Sequence, residues 1–376
     1  MNPLLRLKSL GQSIWYDNIH RELLRSGELE RLIREDGICG VTTNPTIFEK
    51  AIDSGDAYDA AIQTLLRARP GLSEKALFLE LALADVREAA DLLRPVHDDT
   101  DGRDGLVSLE VSPDLAHDTE GTIAEALRLF GAAGRPNVMI KVPATQAGLP
   151  AVEALIAEGV NVNVTLLFSI DRYRDVAEAY LLGLESRLRR GQPIGGISSV
   201  ASFFISRVDT KVDARLAALL QGCDDPARGD GIRSLQGRIA IANAKLAYQA
   251  YREIYEGPRF TALREAGARP QRLLWASTGT KNPAYSDVLY VDALIGPETV
   301  NTVPPATCAA YKDHGNPRLT LTEDLDGARR ALADLRALGI DLAAITEELE
   351  SEGVQLFADS YHTLLASLAR KKAALS

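Results

Sequence analysis

Eight short apolar runs, at residues 13–17, 37–44, 105–112, 137–143, 159–168, 197–204, 272–278 and 299–304, are each separated by enough chain for at least one helix. Between them the apolar period changes from two to about 3.6 residues. In SEKALFLELALADVREAADLL (73–93), Ser73 is placed to cap the helix and acidic side chains come early. TEGTIAEALRLFGAAG (119–134) ends on a glycine suited to a C-cap, and AKLAYQAYREIYEG (244–257) repeats the pattern. Strand and helix alternating in this way along one chain predict a parallel sheet, and eight strands predict a closed (β/α)8 TIM barrel. An open doubly wound sheet is the competing architecture, but no Gly-x-Gly-x-x-Gly follows the first strand.

A single barrel domain over residues 1–376 is expected, because one large α/β barrel can exceed the usual domain length and no Pro- or Ser-rich linker divides the chain. Strand signals stop after residue 305. Segments 323–337 and 341–370 read as amphipathic, so residues 320–376 are expected to be helices packed outside the barrel, with a structural or oligomeric job.

The interior face of the sheet is where the pattern departs from an ordinary core. Side chains alternate along a strand, so Val107, Leu109 and Val111 oppose Ser108, Glu110 and Ser112. Val138, Ile140 and Val142 likewise oppose Met139, Lys141 and Pro143, and Val160, Val162 and Val164 oppose Asn161, Asn163 and Thr165. With the valine sets packed under helices, Glu110, Lys141, Asn163 and Thr165 face inward near the C-terminal ends of three neighbouring strands. Asp17 ends the first strand, and Thr42 and Asn44 end the second, at the same level. Duller readings exist for each: Lys141 snorkelling to solvent, Glu110 as its structural partner, Asn44 and Asn163 satisfying backbone at strand ends, Asp17 capping a helix near Asn18. Their agreement in parity and depth favours chemistry, since a buried polar group without a partner costs about 1–3 kcal/mol.

An inward lysine suits carbonyl chemistry. Its amine has a reference pKa of about 10.4, and desolvation in a closed pocket disfavours the charged form. A neutral amine attacks a carbonyl to give a Schiff base, an electron sink that allows a neighbouring carboxylate to trigger carbon–carbon cleavage.

The composition narrows the partners. A net charge of −10 argues against nucleic acid and anionic membranes, because both reward clustered Lys and Arg. Cys39, Cys223 and Cys308 are odd in number and widely spaced, and the five histidines have no metal-ligand spacing. No structural metal and no disulfide framework are expected. No signal-peptide core and no run of 18 or more apolar residues is visible, so a cytoplasmic location is expected.

The stretches GVTTNPTIFEKAI (40–52), MIKVPATQAGLPAVEAL (139–155) and GVNVNVTLLFS (159–169) resemble the transaldolase signatures. ASTGTKNPAYSD (276–287) and TVNTVPPAT (299–307) resemble the longer bacterial members. The likeness implies transfer of a dihydroxyacetone unit between ketose and aldose phosphates, without cofactor or metal, and it allows a homodimer that no residue pattern specifies. It implies Lys141 as the Schiff-base lysine and Asp17 as the acid/base at the C4 hydroxyl. Glu110 and Thr165 are implied as the pair that shuttles protons through a water. Thr42, Asn44 and Asn163 would contact substrate hydroxyls, Ser202 and Phe204 would lie near the adduct, and Arg207 would bind phosphate.

There is one departure from the family pattern. Shorter transaldolases carry an arginine two residues after the serine of the seventh-strand motif, where this chain has Gly279. Lys281 is the expected substitute, with Ser277 as a second phosphate contact. Two rivals remain: an aldolase releasing free dihydroxyacetone, whose family members carry tyrosine where Phe204 stands, and a non-catalytic barrel that binds sugar phosphates.

Overall fold

In the computed structural model, which describes residues 2–53 and 55–375, eight parallel strands close on themselves in chain order. They are β1 Gln12–Tyr16, β2 Gly40–Val41, β3 Leu106–Glu110, β4 Val138–Pro143, β5 Val162–Leu167, β6 Ser199–Phe204, β7 Arg272–Ala276 and β8 Thr299–Val303. β8 pairs with β1 from Gln12↔Thr299 to Tyr16↔Val303, which completes the circle. The doubly wound alternative is excluded by that closure.

β2 is much shorter than its apolar run. The chain around it still belongs to the barrel wall: Cys39 N donates to Ile14 O at 2.9 Å, and Thr42 N donates to Tyr16 O at 3.0 Å. Gly40 is small because Trp15 of β1 fills its place; a β carbon at Gly40 would stand 2.5–2.6 Å from the indole ring. Parity along the strands follows the expected alternation until β3 ends at Glu110. Beyond it the chain turns, and Ser112 leaves the barrel axis: its Oγ donates to Glu125 Oε1 at 2.6 Å.

Helices form where capping and periodicity coincide. Ser73 Oγ accepts from Ala76 N at the start of Glu74–Asp99, and Gly134, at φ +59°, ends Thr119–Ala133. The first helix after β1 begins at Arg21 with His20 as its cap, so Asp17 does not cap it.

A buried ion pair closes the N-terminal end of the barrel. Asp104 accepts from Arg272 (3.0 Å), Trp15 Nε1 (3.1 Å) and Ser13 Oγ (2.8 Å).

The C-terminal segments are helices Leu325–Ala337 and Leu342–Leu375. The second packs against the outside of the barrel. It crosses the C-terminal mouth of the barrel, packing on helix Pro45–Asp53 and reaching β5, and it places Phe357 in the central chamber.

Candidate active site

Register brings the inward polar residues together. Glu110 pairs with Lys141 across β3 and β4, and Lys141 with Asn163 across β4 and β5. All three therefore sit at one level near the C-terminal mouth, where barrel enzymes hold their chemistry.

Lys141 is only 6% exposed, yet it is neither stranded nor turned to solvent. Nζ lies 2.5 Å from Glu110 Oε1 and donates to the Thr43 carbonyl at 2.8 Å. The Glu110 carboxyl, expected beside the amine from strand parity, is thus its direct partner. Burial pushes the Glu110 carboxyl above its ordinary value, opposed by Lys141 and reinforced by Asp17. Among the described residues Glu110 Oε2 and Thr165 Oγ1 have no hydrogen-bond partner. A void of about 20 Å³ touches Glu110, Lys141 and Thr165. One water needs roughly 10–15 Å³, so the void has room for a single molecule beside these two residues.

Asp17 is also pushed above its ordinary value by burial, against the pull of Lys141, Thr42 and Lys281. Thr42 Oγ1 donates to Asp17 Oδ1 at 2.8 Å and lies 2.5 Å from Thr302 Oγ1. A hydroxyl has one proton to give, so Thr302 is the donor to Thr42. Below the amine, Asn163 donates to Ser108 Oγ (3.0 Å) and accepts from Ser202 Oγ (2.7 Å). Asn44 does double duty: its Oδ1 accepts from Ile47 N at 3.0 Å at the start of Pro45–Asp53, and the residue also lines the chamber.

The chamber measures about 330 Å³ and is lined by Asp17, Thr42, Asn44, Lys141, Thr165, Ser202, Phe204, Arg207, Ser277 and Lys281. Glu110 and Asn163 do not line it: Glu110 pairs with Lys141, and Asn163, fully buried, bonds to Ser202, which does.

The rim is cationic without matching carboxylates. Arg207 makes no ion pair among the described residues; its guanidinium stacks instead on Phe204 (5.3 Å) and Phe357 (5.9 Å), and burial lowers its pKa. Lys281 is exposed on the loop after β7. Ser277, held at φ +55°, sets its Oγ 3.0 Å from Ser206 Oγ beside Arg207. Gly279 lines the chamber where space is tight: a β carbon there would stand 3.2 Å from Thr307 Oγ1 and 3.3 Å from Pro304 Cγ.

Sequence reasoning missed Thr302, Lys50, Leu356 and Phe357, all lining the chamber. Thr302 was detectable, since it shares the inward parity of β8. Phe357 carries no local signal, because one aromatic on an amphipathic helix reads as core.

A family model described as Transaldolase/Fructose-6-phosphate aldolase matches residues 14–368. The chain belongs to this family. The match takes in every strand except the first two residues of β1 and runs into the helix that carries Phe357. Transaldolase 2 of Nostoc sp. is 49% identical over 100% of this chain and 99% of its own. Transaldolase of Thermobifida fusca is 49% identical over 99% of each, and Transaldolase 1 of Streptomyces avermitilis is 50% identical over 97% of this chain and 94% of its own. Among the described residues no helix is long and apolar enough to cross a membrane, and no group of three His, Cys, Asp or Glu side chains is placed to hold a metal ion.

Proposed function

We infer that this protein is a transaldolase, moving a three-carbon ketol unit from a ketose phosphate to an aldose phosphate. The observation that carries the reading is a buried amine, Lys141, held against Glu110 in a chamber that also takes in Asp17 and has unpaired cations, Arg207 and Lys281, at its rim. A sugar phosphate fits such a site with its anionic end outward and its carbonyl inward.

Lys141 attacks the C2 carbonyl of fructose 6-phosphate or sedoheptulose 7-phosphate. Glu110 takes a proton from the amine and returns it to the departing hydroxyl, through a water held between Glu110 and Thr165. With the iminium formed, Asp17 removes the C4 hydroxyl proton, the C3–C4 bond breaks, and its electron pair passes to the iminium. An aldose phosphate leaves, and an enamine remains on Lys141. The enamine then adds to glyceraldehyde 3-phosphate or erythrose 4-phosphate, Asp17 gives its proton to the new hydroxyl, and hydrolysis frees the product. Thr42, Asn44, Asn163 and Ser202 hold the hydroxyls, since a polyol rewards paired donors and acceptors. Arg207, Lys281 and Ser277 hold the phosphate, Lys281 as a point charge and not as a bidentate fork.

Release of free dihydroxyacetone is the other activity in the family's description. Phe204 favours transfer, because a phenyl ring has no proton to deliver to the enamine. Borohydride reduction in the presence of fructose 6-phosphate, followed by mass spectrometry, tests the reading. A dihydroxyacetone adduct on Lys141 that disappears in Lys141→Ala is expected; an adduct on a different lysine, or none, defeats it.

A further inference from the structure

Phe357 enters the chamber from the C-terminal helix, an element that supplies none of the proposed reacting groups. Its ring stands 5.9 Å from Nζ of Lys141 and is only 9% exposed. The same ring borders both the 330 Å³ chamber and the 20 Å³ void over Glu110 and Thr165. Val354 and Leu166 complete the roof of that void.

The approach of the helix is specified by its own sequence. Gly353 lies one turn before Phe357 on the same face, and a β carbon there would stand 3.0 Å from Leu166 Cδ2 and 3.6 Å from an Arg207 terminal nitrogen. Leu166 itself is held at φ +62°, where β5 shifts register against β6. The helix is tied down on either side, by Lys211 to Glu348 (2.8 Å) and Glu352 (2.5 Å) and by Thr46 to Ser360 (2.9 Å). Phe357 is thus a fixed ceiling over Lys141.

We propose that Phe357 is a specificity-determining residue that commits the three-carbon unit to transfer by keeping bulk water off the enamine on Lys141. The proposal rests on the Schiff-base reading above. Two fates compete for that enamine. In transfer, its nucleophilic carbon forms a bond to the acceptor aldehyde. In release, the same carbon takes a proton from Asp17 or water, giving an iminium. Water then adds at C2, the C–N bond breaks, the Lys141 amine recovers a proton, and free dihydroxyacetone departs. The water consumed replaces the one lost when the Schiff base formed. Both fates end in hydrolysis at C2, for which the one water beside Glu110 and Thr165 suffices; release differs in needing a proton at the enamine carbon, and an apolar ring backed by Val354 and Leu166 covers the adduct against the bulk solvent that would supply it.

The test compares the full-length parent with Phe357→Ala, Phe357→Val and Phe357→Leu, given fructose 6-phosphate with and without erythrose 4-phosphate. Free dihydroxyacetone and sedoheptulose 7-phosphate are measured, each normalised to the Lys141 adduct trapped by borohydride. The release-to-transfer ratio is expected to rise at least tenfold in Phe357→Ala, by a smaller factor in Phe357→Val, and to stay within twofold of the parent in Phe357→Leu. A parental ratio in Phe357→Ala overturns the proposal, including the case in which only the KM for the phosphorylated sugar changes and the ring merely supports Arg207. An equal rise in the Leu and Ala variants overturns it too, because apolar bulk would then not be what matters. Should Phe357→Ala fail to fold by circular dichroism, Phe357→Val decides, with a threefold rise as support and a parental ratio as refutation. Absence of a Lys141 adduct in the parent shows itself before any variant is compared, and it overturns the underlying reading together with this one.

Discussion

Lys141 shows how a charged side chain is accommodated inside a barrel. Its Nζ replaces water with one carboxyl oxygen and one backbone carbonyl, and Glu110 keeps its second oxygen unengaged. In the proposed mechanism that arrangement leaves an acceptor beside the amine when the amine loses a proton. Arg207 is the complementary case, a half-buried guanidinium against two aromatic rings with no carboxylate partner among the described residues. Truncating a buried charge that pairs with a ligand costs about 2–5 kcal/mol, so Arg207→Ala is expected to lower kcat/KM for fructose 6-phosphate by roughly 30-fold or more. Lys281→Ala, on an exposed loop, is expected to lower it by about tenfold or less, in keeping with weaker solvent-screened charges. Both losses should shrink sharply when unphosphorylated fructose is the donor; losses of equal size on fructose would place neither residue at the phosphate.

Elements position these side chains through their ends. The helix Ser206–Gln221 brings Arg207 off β6, and the loop after β7 brings Lys281 opposite it. Two carboxyls lock that pair of segments: Asp209 accepts from Tyr290 Oη (3.0 Å) and Ala240 N (2.7 Å), and Asp213 accepts from Tyr285 Oη (2.7 Å) and Gly237 N (3.1 Å). Burial, with the nearby Asp213 charge, pushes Asp209 up to about 7, against the hydrogen bonds that favour its carboxylate. Between its ordinary value, near 3.8, and about 7 the folded chain keeps a proton that the unfolded chain has released. Stability therefore falls as pH rises through that window, by an amount on the order of a few kcal/mol. Asp209→Asn can keep both hydrogen bonds, through its carbonyl oxygen to Ala240 and its amide to Tyr290. Urea midpoints across the same window are expected to be flatter for this variant than for the parent; parallel slopes would mean that Asp209 does not titrate there.

At the scale of the whole molecule, the barrel divides stability from chemistry by its two ends. Asp104 and Arg272 are buried together at the N-terminal end, in a network with Ser13 and Trp15. Asp104→Ala leaves the Arg272 charge without its carboxylate and is expected to cost about 3–5 kcal/mol, with much of it recovered in the double variant Asp104→Ala, Arg272→Met. The Lys141 adduct should still form at temperatures where Asp104→Ala is folded, and its loss there would contradict the division. Most of this architecture was legible in the chain. The eight strands were readable because period-two alternation survives wherever one strand face meets helices, and the positions of Lys141, Glu110 and Thr165 follow from the same parity. The extent of β2 was not readable, since three flanking hydrogen bonds, and not apolarity, hold that segment in the wall. Parity allowed Glu110 as a partner for Lys141 but not their 2.5 Å contact, because burial and contact distance are properties of the closed barrel. By itself the sequence determined the barrel and the inward polar ring that includes Lys141, both of which are consequences of local periodicity. Only the tertiary structure decided what covers that lysine: Phe357 reaches it across the mouth from the last helix, and such contacts are fixed by how closely packed elements meet, which no local pattern encodes.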